Sequence, residues 1–109
     1  MENGKIYKLV SDSTDKIYIG STNEKYLSRR LAKHKACFWE WIMDEQCYMS
    51  SYELIKYIDV RIVLIKNYPC ETRDELRIKE QEYINKYRDI CVNKQKAYLS
   101  QEEKKKYKK

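Results

Sequence analysis

Two short segments near the start of the chain are rich in apolar residues. Residues 5–10 (KIYKLV) and 16–20 (KIYIG) contain the β-branched and aromatic residues that favour strands. The residues between them, 11–15 (SDSTD), are polar and typical of a turn. Two such segments joined by a short polar stretch predict a β-hairpin.

The spacing of the apolar residues changes to that of a helix after the hairpin. Four side chains recur every three or four residues, as on one face of a helix: Leu27, Leu31, His34 and Phe38. We therefore predict a helix from about residue 23 to residue 38. Residues 39–49 fit either a continued helix or a packed loop.

Two capping boxes predict two further helices. Ser50 with Glu53 is expected to open a short helix that ends near residue 57, because a serine and a glutamate three residues apart satisfy each other's free amides. Thr72 with Glu75 is expected in the same way to open a longer helix that ends near residue 87.

A third strand is predicted between these two helices. Residues 60–65 (VRIVLI) are almost uninterruptedly apolar, which is typical of a strand buried on both faces at the centre of its sheet. Residues 90–93 (ICVN) are expected to form a short extended segment. The resulting order, β-β-α-α-β-α, predicts an α+β fold with a small, mainly antiparallel sheet.

The length of 109 residues fits one domain, since single domains usually run to ~50–200 residues. We place this domain at residues 1–100, and residues 101–109 (QEEKKKYKK) are expected to be a lysine-rich charged tail or a frayed helix. No apolar run approaches the ~20 residues that a membrane span needs.

The charge of the chain favours a polyanionic partner. There are 23 Lys and Arg residues against 17 Asp and Glu, a formal net charge of +6. A basic balance in a small domain points to nucleic acid first and to an anionic membrane surface second. A solvated, lysine-rich surface without such a partner explains the charge equally well.

The cysteines indicate an intracellular protein, in the cytoplasm or the nucleus. The four residues, Cys37, Cys47, Cys70 and Cys91, form no C-x-x-C pair, and the single histidine does not complete a zinc finger. We interpret them as reduced thiols with mostly structural roles. The richness in Lys, Ile and Tyr suggests an AT-rich genome, such as that of a virus or a mobile element.

One acidic residue falls on the apolar face of the last predicted helix. Glu80 lies on the stripe that Leu76, Tyr83 and Tyr87 define. A carboxylate on a core face is costly unless it is paired or binds a cation, so Glu80 is a candidate metal ligand. The alternative is a partly exposed or salt-bridged glutamate at the edge of the stripe.

Arg30 and His34 lie four residues apart and so form one column on the first helix. A guanidinium suits a phosphate, because its fork of donors matches the phosphate oxygens and its charge does not titrate. A histidine one turn away can donate to the phosphate or relay a proton. The alternative is an ordinary basic face, since Arg29, Lys33 and Lys35 are close by.

The hairpin contributes two tyrosines, Tyr7 and Tyr18, and a glycine at the end of the second strand, Gly20. Strand tyrosines usually pack, and a phenol is a poor base unless a cation lowers its pKa. A glycine at Gly20 lets another group approach the backbone closely.

Taken in order, these residues resemble the GIY-YIG nuclease family, over roughly residues 4–96. Five elements carry the resemblance: Lys5-Ile6-Tyr7; Tyr18-Ile19-Gly20 followed by Ser21-Thr22; Arg30 with His34; Glu80 ahead of Tyr83-Ile84; and Asn93 after Cys91-Val92. Lys5 departs from the pattern, because it replaces the glycine of the family's first half-motif.

The resemblance implies a three-stranded antiparallel sheet flanked by helices, with the site on one face of the sheet. It also implies an endonuclease that hydrolyses phosphodiester bonds in DNA and depends on Mg²⁺ or Mn²⁺, with no other small-molecule cofactor. The catalytic residues that it implies are Tyr7, Tyr18, Arg30, His34, Glu80 and Asn93. Glu80 would hold the metal. The basic residues expected to contact DNA are Lys5, Arg29, Lys33, Lys35, Lys104, Lys105 and Lys106.

The expected mechanism gives each side chain one task. Arg30 neutralises the phosphate, and Tyr7, with a pKa lowered by Arg30, nearby lysines and the metal, deprotonates or orients the water. Tyr18 and His34 position the phosphate and Tyr7, while Asn93 holds substrate or braces the site. We expect the six catalytic residues to converge on one surface cleft.

Two alternatives come from other functional classes. The first is a nucleic-acid-binding module that keeps the fold without catalysis, for which a glutamate on the core face has no use. The second is a basic interaction domain, which would leave Glu80 and the spacing of Arg30 and His34 to chance.

Overall fold

The computed structural model describes residues 1–44 and 49–93. In this part of the chain the elements follow the predicted order: β1 (Lys5–Ser11), β2 (Thr14–Thr22), α1 (Leu27–Asp44), α2 (Tyr52–Ile55), β3 (Arg61–Asn67) and α3 (Arg73–Lys86). Cys47, Lys104, Lys105, Lys106 and the predicted tail and domain boundary lie outside the described residues. No helix in the described ranges is long and apolar enough to cross a membrane.

The three strands form an antiparallel sheet in the order β2-β1-β3, which confirms the predicted α+β fold. The prediction that residues 60–65 form the central strand is wrong, because β1 occupies the centre and β3 lies at an edge. Val63 and Leu64 of β3 are 38% and 42% exposed. Helix α1 packs on β3, whereas α3 packs mainly on β2 and β1, so the α3 face of β3 is less covered than its apolar sequence suggests.

The sheet has one apolar cluster on each face, because successive side chains of a strand point to opposite faces. Ile6 and Ile19 pack with Ile84 of α3 on one face. Tyr7 and Leu9 pack on the other face with the α2 region, and side chains of α1 lie against the same cluster. Helices α1 and α3 therefore cover opposite faces of the sheet.

Helix α1 begins about four residues later than predicted and continues through Asp44, so residues 39–44 are helical.

Helix α2 is shorter than predicted. Its N-cap residue is Ser51, whose side chain makes no capping hydrogen bond, so the predicted cap at Ser50 is one residue off. The carbonyl of Ser50 accepts instead from the amide of Glu53 at 3.2 Å.

The start of α3 agrees with the prediction. Thr72 is the N-cap, and its hydroxyl oxygen accepts from the amide of Glu75 at 3.2 Å. The carboxylate of Glu75 accepts from the amide of Glu71 at 3.1 Å, one residue before the position expected for a capping box. Each such bond satisfies an amide that the first turn of a helix leaves free.

The segment after α3 runs along the outer edge of β2. Cys91 forms an isolated parallel bridge with Ile17. The amide of Ile17 donates to the carbonyl of Ile90, and the amide of Val92 donates to the carbonyl of Ile17, both at 2.8 Å. The extended segment predicted at residues 90–93 therefore lies against the hairpin.

Candidate active site

The centre of the candidate site is Tyr7, whose side chain is fully buried on β1. Its hydroxyl oxygen lies 2.6 Å from Nε2 of His34, and Nε of Arg30 donates to the same oxygen at 3.2 Å. Arg30 and His34 are neighbours on one face of α1, as their spacing predicts. We call these three residues the Tyr7 cluster.

Gly20 makes room for the Tyr7 ring. It lies directly opposite Tyr7 in the pairing of β1 with β2. A Cβ atom at this position would collide with the hydroxyl oxygen of Tyr7 and with the ring carbon that bears it. The tyrosine thus lies over the glycine backbone and extends its hydroxyl toward the edge strand.

Tyr18 completes the aromatic surroundings of the imidazole. It pairs with Leu9 across the hairpin and so lies on the same face of the sheet as Tyr7. Its ring meets His34 edge-on at a centroid distance of 5.8 Å, and the Tyr7 ring does the same at 5.9 Å. His34 is therefore enclosed by two strand tyrosines.

Burial controls the protonation of the cluster. Burial together with the positive charges of Arg30 and Lys33 lowers the pKa of His34 to about 3, so its imidazole is neutral at pH 7. Burial raises the pKa of Tyr7 to about 12 and also raises the pKa of Tyr18. The expected lowering of the Tyr7 pKa is thus wrong, because desolvation outweighs the attraction of Arg30 for the phenolate.

These states give the hydrogen bonds a direction. Arg30 has only donors, so the Tyr7 oxygen must accept from it. The single phenol proton is then free to be donated to Nε2 of the neutral His34. A chain of donors therefore runs from Arg30 through Tyr7 to His34.

Glu80 reaches this region from the other face of the sheet. It lies on α3 between Leu76 and Ile84, which are buried against β1 and β2. Burial raises the pKa of its carboxyl, whereas hydrogen bonding from the Ser21 hydroxyl and amide and the positive charges of Arg77 and Arg30 lower it. Glu80 thus lies on the side of α3 that faces the sheet and is partly exposed, as the alternative interpretation expected. Ser21 is a partner that the pattern did not indicate.

The site spans the end of β2 and is not confined to one face of the sheet. The Tyr7 cluster lies on the α1 face, and Glu80 belongs to the helix on the α3 face. The negative charge of Glu80 nevertheless acts on the hydroxyls of Tyr7 and Tyr18 and on Arg30. The expectation that the site lies on one face of the sheet is therefore wrong, because Glu80 meets Ser21 from the α3 face while Tyr7, Arg30 and His34 lie on the α1 face.

Asn93 holds the backbone of the hairpin. Its Nδ2 donates to the carbonyl of Ile19 at 2.8 Å, and its Oδ1 accepts from the amide of Ile19 at 3.0 Å. The thiol of Cys91 donates to the same Oδ1 at 2.6 Å. Of the two expected roles, these contacts favour bracing over substrate binding, because both ends of the amide are occupied.

The basic residues expected to contact DNA divide into two groups. Arg29, Lys33 and Lys35 are exposed on α1. Lys5 differs, because its ammonium donates to the carbonyls of Asn3 at 2.8 Å and Glu24 at 2.9 Å. Lys5 therefore ties the first residues of β1 to the segment that leads into α1, which is a structural task.

Glu80 is the carboxylate at the candidate site that suits a metal. In residues 1–44 and 49–93, no three His, Cys, Asp and Glu side chains are grouped closely enough to form a metal cluster. One carboxylate suits Mg²⁺, which prefers oxygen ligands and retains several waters when substrate phosphate supplies the rest. Glu80 beside Ser21 fits such a magnesium site. It does not fit a metal site that needs several protein ligands.

The arrangement has the groups that phosphodiester chemistry requires. It combines a guanidinium, a hydrogen-bonded phenol and imidazole, and a carboxylate whose charge acts on them. Comparisons with family models, with curated proteins and with solved structures find no match to this chain.

The burial of the His34 imidazole predicts how the stability of the protein depends on pH. His34 has a lowered pKa in the folded state, so below its ordinary value of 6.5 the unfolded chain binds a proton that the folded chain does not. Stability should therefore fall as the pH drops from about 6.5 toward 3, by up to ~1.4 kcal/mol per pH unit. His34→Gln cannot take up this proton, so the difference in unfolding free energy between the two proteins should change with pH. Urea unfolding at several pH values measures it, and a constant difference would contradict the prediction.

Proposed function

We propose that the chain is a divalent-metal-dependent endonuclease that hydrolyses phosphodiester bonds in DNA. The observation that carries the proposal is the Tyr7 cluster, a buried phenol bonded to a neutral imidazole and to a guanidinium, on which the charge of Glu80 acts. Burying these groups is costly, and a surface that only binds DNA needs no more than exposed cations. The residues are the ones that the resemblance to the GIY-YIG nucleases implies.

Arg30 is the proposed phosphate ligand. Its Nε is engaged with Tyr7, which fixes the plane of the guanidinium and leaves its two terminal amino groups to donate to phosphate oxygens. A guanidinium fixed in this way is oriented before the substrate arrives, so little freedom is lost on binding. The charge of Arg30 would neutralise the negative charge that grows on the phosphate as the water attacks.

Tyr7 is fully buried in this structure, so we propose that substrate binding gives the attacking water access to its hydroxyl. Tyr7 would then orient that water and relay its proton. With a pKa of about 12, Tyr7 remains a phenol at neutral pH and cannot act as a free phenolate. As the water gives its proton to the Tyr7 oxygen, the phenol proton passes to Nε2 of His34, which is placed to accept it. The negative charge of a bound phosphate favours the imidazolium that results.

Glu80 is proposed to hold Mg²⁺ or Mn²⁺, and the bound ion would supply positive charge to the departing 3′ oxygen. Ser21 contributes to this task, because its hydroxyl and amide favour the ionised form of the carboxyl. The positive charge of Arg30 acts in the same direction. Burial opposes these effects and raises the pKa of the carboxyl, and a bound cation would favour its ionised form.

A nicking assay tests the proposal. Supercoiled plasmid should be nicked with Mg²⁺ or Mn²⁺ and left intact with EDTA. Tyr7→Phe keeps the ring but removes the hydroxyl, and we expect it to lower the nicking rate about 100-fold or more, since general acid–base groups contribute 10²–10⁴-fold. Tyr57→Phe is the matched control, because the contacts of Tyr57 in the described residues are with Leu54, Val60 and Lys56 and not with the Tyr7 cluster. This variant should nick normally.

The same experiment separates the two functional classes. A chain that binds plasmid but never nicks it, with either metal, would be the non-catalytic binding module. Nicking that survives both EDTA and Tyr7→Phe would place the activity elsewhere and would overturn the proposed site.

A further inference from the structure

Tyr26 has surroundings that the proposed chemistry does not use. It lies directly before α1, and its side chain is 51% exposed. The ammonium of Lys25 lies 5.5 Å from the centre of its ring, and the guanidinium of Arg29 lies 5.3 Å from it. Both cations lie over the ring in cation–π contacts, so a base would stack on it as these two long side chains turn toward phosphate. The ring and the cations together combine a stacking surface with attraction for phosphate.

The position of Tyr26 ties it to the candidate active site. The amide of Arg29 donates to the carbonyl of Tyr26 at 3.1 Å, so Tyr26 already belongs to the first turn of α1. The guanidinium of Arg29 lies over the Tyr26 ring, and Arg29 directly precedes Arg30 in the first turn of the helix, so the ring lies beside the segment that carries Arg30. A base on Tyr26 would therefore belong to a nucleotide next to the phosphate on Arg30.

The charge around Tyr26 is mostly positive. Between residues 22 and 39 there is one acidic residue, Glu24, against five basic residues: Lys25, Arg29, Arg30, Lys33 and Lys35. The first turn of α1 contains no acidic residue, although the positive end of a helix dipole favours one. A helix start that violates this stability rule is a sign of function, and here it concentrates positive charge beside an exposed ring.

We infer that Tyr26 is a stacking platform for an unpaired DNA base adjacent to the phosphate held by Arg30. Inside an intact duplex both faces of a base are covered by its neighbours, so a protein aromatic ring can stack only on a base that is unpaired, terminal or flipped out. Lys25 and Arg29 would contact the flanking phosphates. The preferred substrate class is thus DNA with a locally unpaired nucleotide. This inference rests on the proposed function.

Binding measurements in EDTA test the inference without cleavage. Two fluorescent probes are compared by anisotropy at one salt concentration: an intact duplex and the same duplex with one unpaired thymidine. Tyr26→Ala should weaken binding to the second probe about 5- to 150-fold, the range found when a base–aromatic stack is removed. Its effect on the intact duplex should stay below about twofold. Tyr26→Phe, which keeps the ring, should bind both probes normally.

Tyr57→Ala is the matched control, because Tyr57, like Tyr26, has a cation close to its ring. The ammonium of Lys56 lies 5.3 Å from the centre of the Tyr57 ring. Two residues later, Asp59 bonds to Ser11 and Asp12 at the hairpin turn, so Tyr57 lies toward the opposite end of the sheet from Gly20. This variant should leave both affinities unchanged. An equal loss on both probes with Tyr26→Ala, or no loss on either, would overturn the platform.

A crosslink in the unaltered protein gives a second test that does not depend on a variant folding. With 5-bromodeoxyuridine at the unpaired position, irradiation should attach the probe to Tyr26, as mapped by mass spectrometry. A crosslink to another residue would overturn the inference. Both tests are run in EDTA, so a protein that stacks the base but never nicks disproves only the endonuclease. A protein that nicks but is indifferent to Tyr26 disproves only the platform.

Discussion

Glu80→Gln is expected to give a folded, DNA-binding protein that no longer cleaves. Glutamine keeps the size of the side chain and one oxygen, but a neutral amide is a poor Mg²⁺ ligand compared with a carboxylate. A catalytic cation supplies several kcal/mol of transition-state stabilisation, so the Mg²⁺-dependent nicking rate should fall about 100-fold or more. Arg30 and the exposed basic residues of α1 are unchanged, so DNA binding should persist or tighten slightly.

The stability of this variant separates a metal ligand from a structural ion-pair partner. Burial disfavours the charged form of Glu80, as its raised pKa indicates, so loss of the charge should leave the melting temperature unchanged or raise it. Glu82→Gln is the matched control, because Glu82 lies on the same helix in an exposed ion pair with Lys79 at 2.9 Å. That variant should nick normally. Retained nicking with a lowered melting temperature in Glu80→Gln would contradict the metal site.

Gly20→Ala is expected to impair both stability and catalysis. The added Cβ would overlap the hydroxyl and ring of Tyr7, which is fully buried and bonded to His34 and Arg30 and so has no easy alternative position. Overpacking of this kind typically costs ~1–3 kcal/mol. A displacement of about 1 Å at a catalytic group can reduce the rate about 100-fold, so nicking should fall by that order.

A double-mutant cycle checks the cause. In a Tyr7→Leu background the ring is absent, so Gly20→Ala should cost less than about 0.5 kcal/mol in urea unfolding. If Gly20→Ala were equally costly in both backgrounds, the backbone of β2 and not the Tyr7 ring would set the requirement for glycine.

The parts of the fold that local patterns determine could be predicted from the sequence. The hairpin and the start of α3 depend on strand-forming residues, turn residues and a cap, all of which are local. The position of β3 could not be predicted, because an apolar run such as residues 60–65 does not show whether a second strand or solvent lies beside it. The continuation of α1 through residue 44 could not be predicted either, because the sequence of residues 39–49 fits both a helix and a packed loop.

The candidate site, too, could be predicted only in part from the sequence. The column of Arg30 and His34 and the inward position of Glu80 follow from helical spacing. The pKa of Tyr7 could not be predicted, because its direction depends on how completely the ring is removed from water. The contacts of Lys5 with Asn3 and Glu24, and the action of Ser21 on Glu80, need the tertiary structure that brings distant residues together.

The amide of Asn93 also bears on the order in which the chain can fold. The Tyr7 cluster and Gly20 lie within residues 7–34. Their contacts can therefore form early in folding, because only short loops separate the residues. Asn93 bonds to Ile19 across 74 residues, and a closure of this length costs more entropy and comes late. During synthesis, the hairpin and α1 can assemble while the outer edge of β2 stays unpaired. That edge is closed only when the ribosome has released the chain through residue 93.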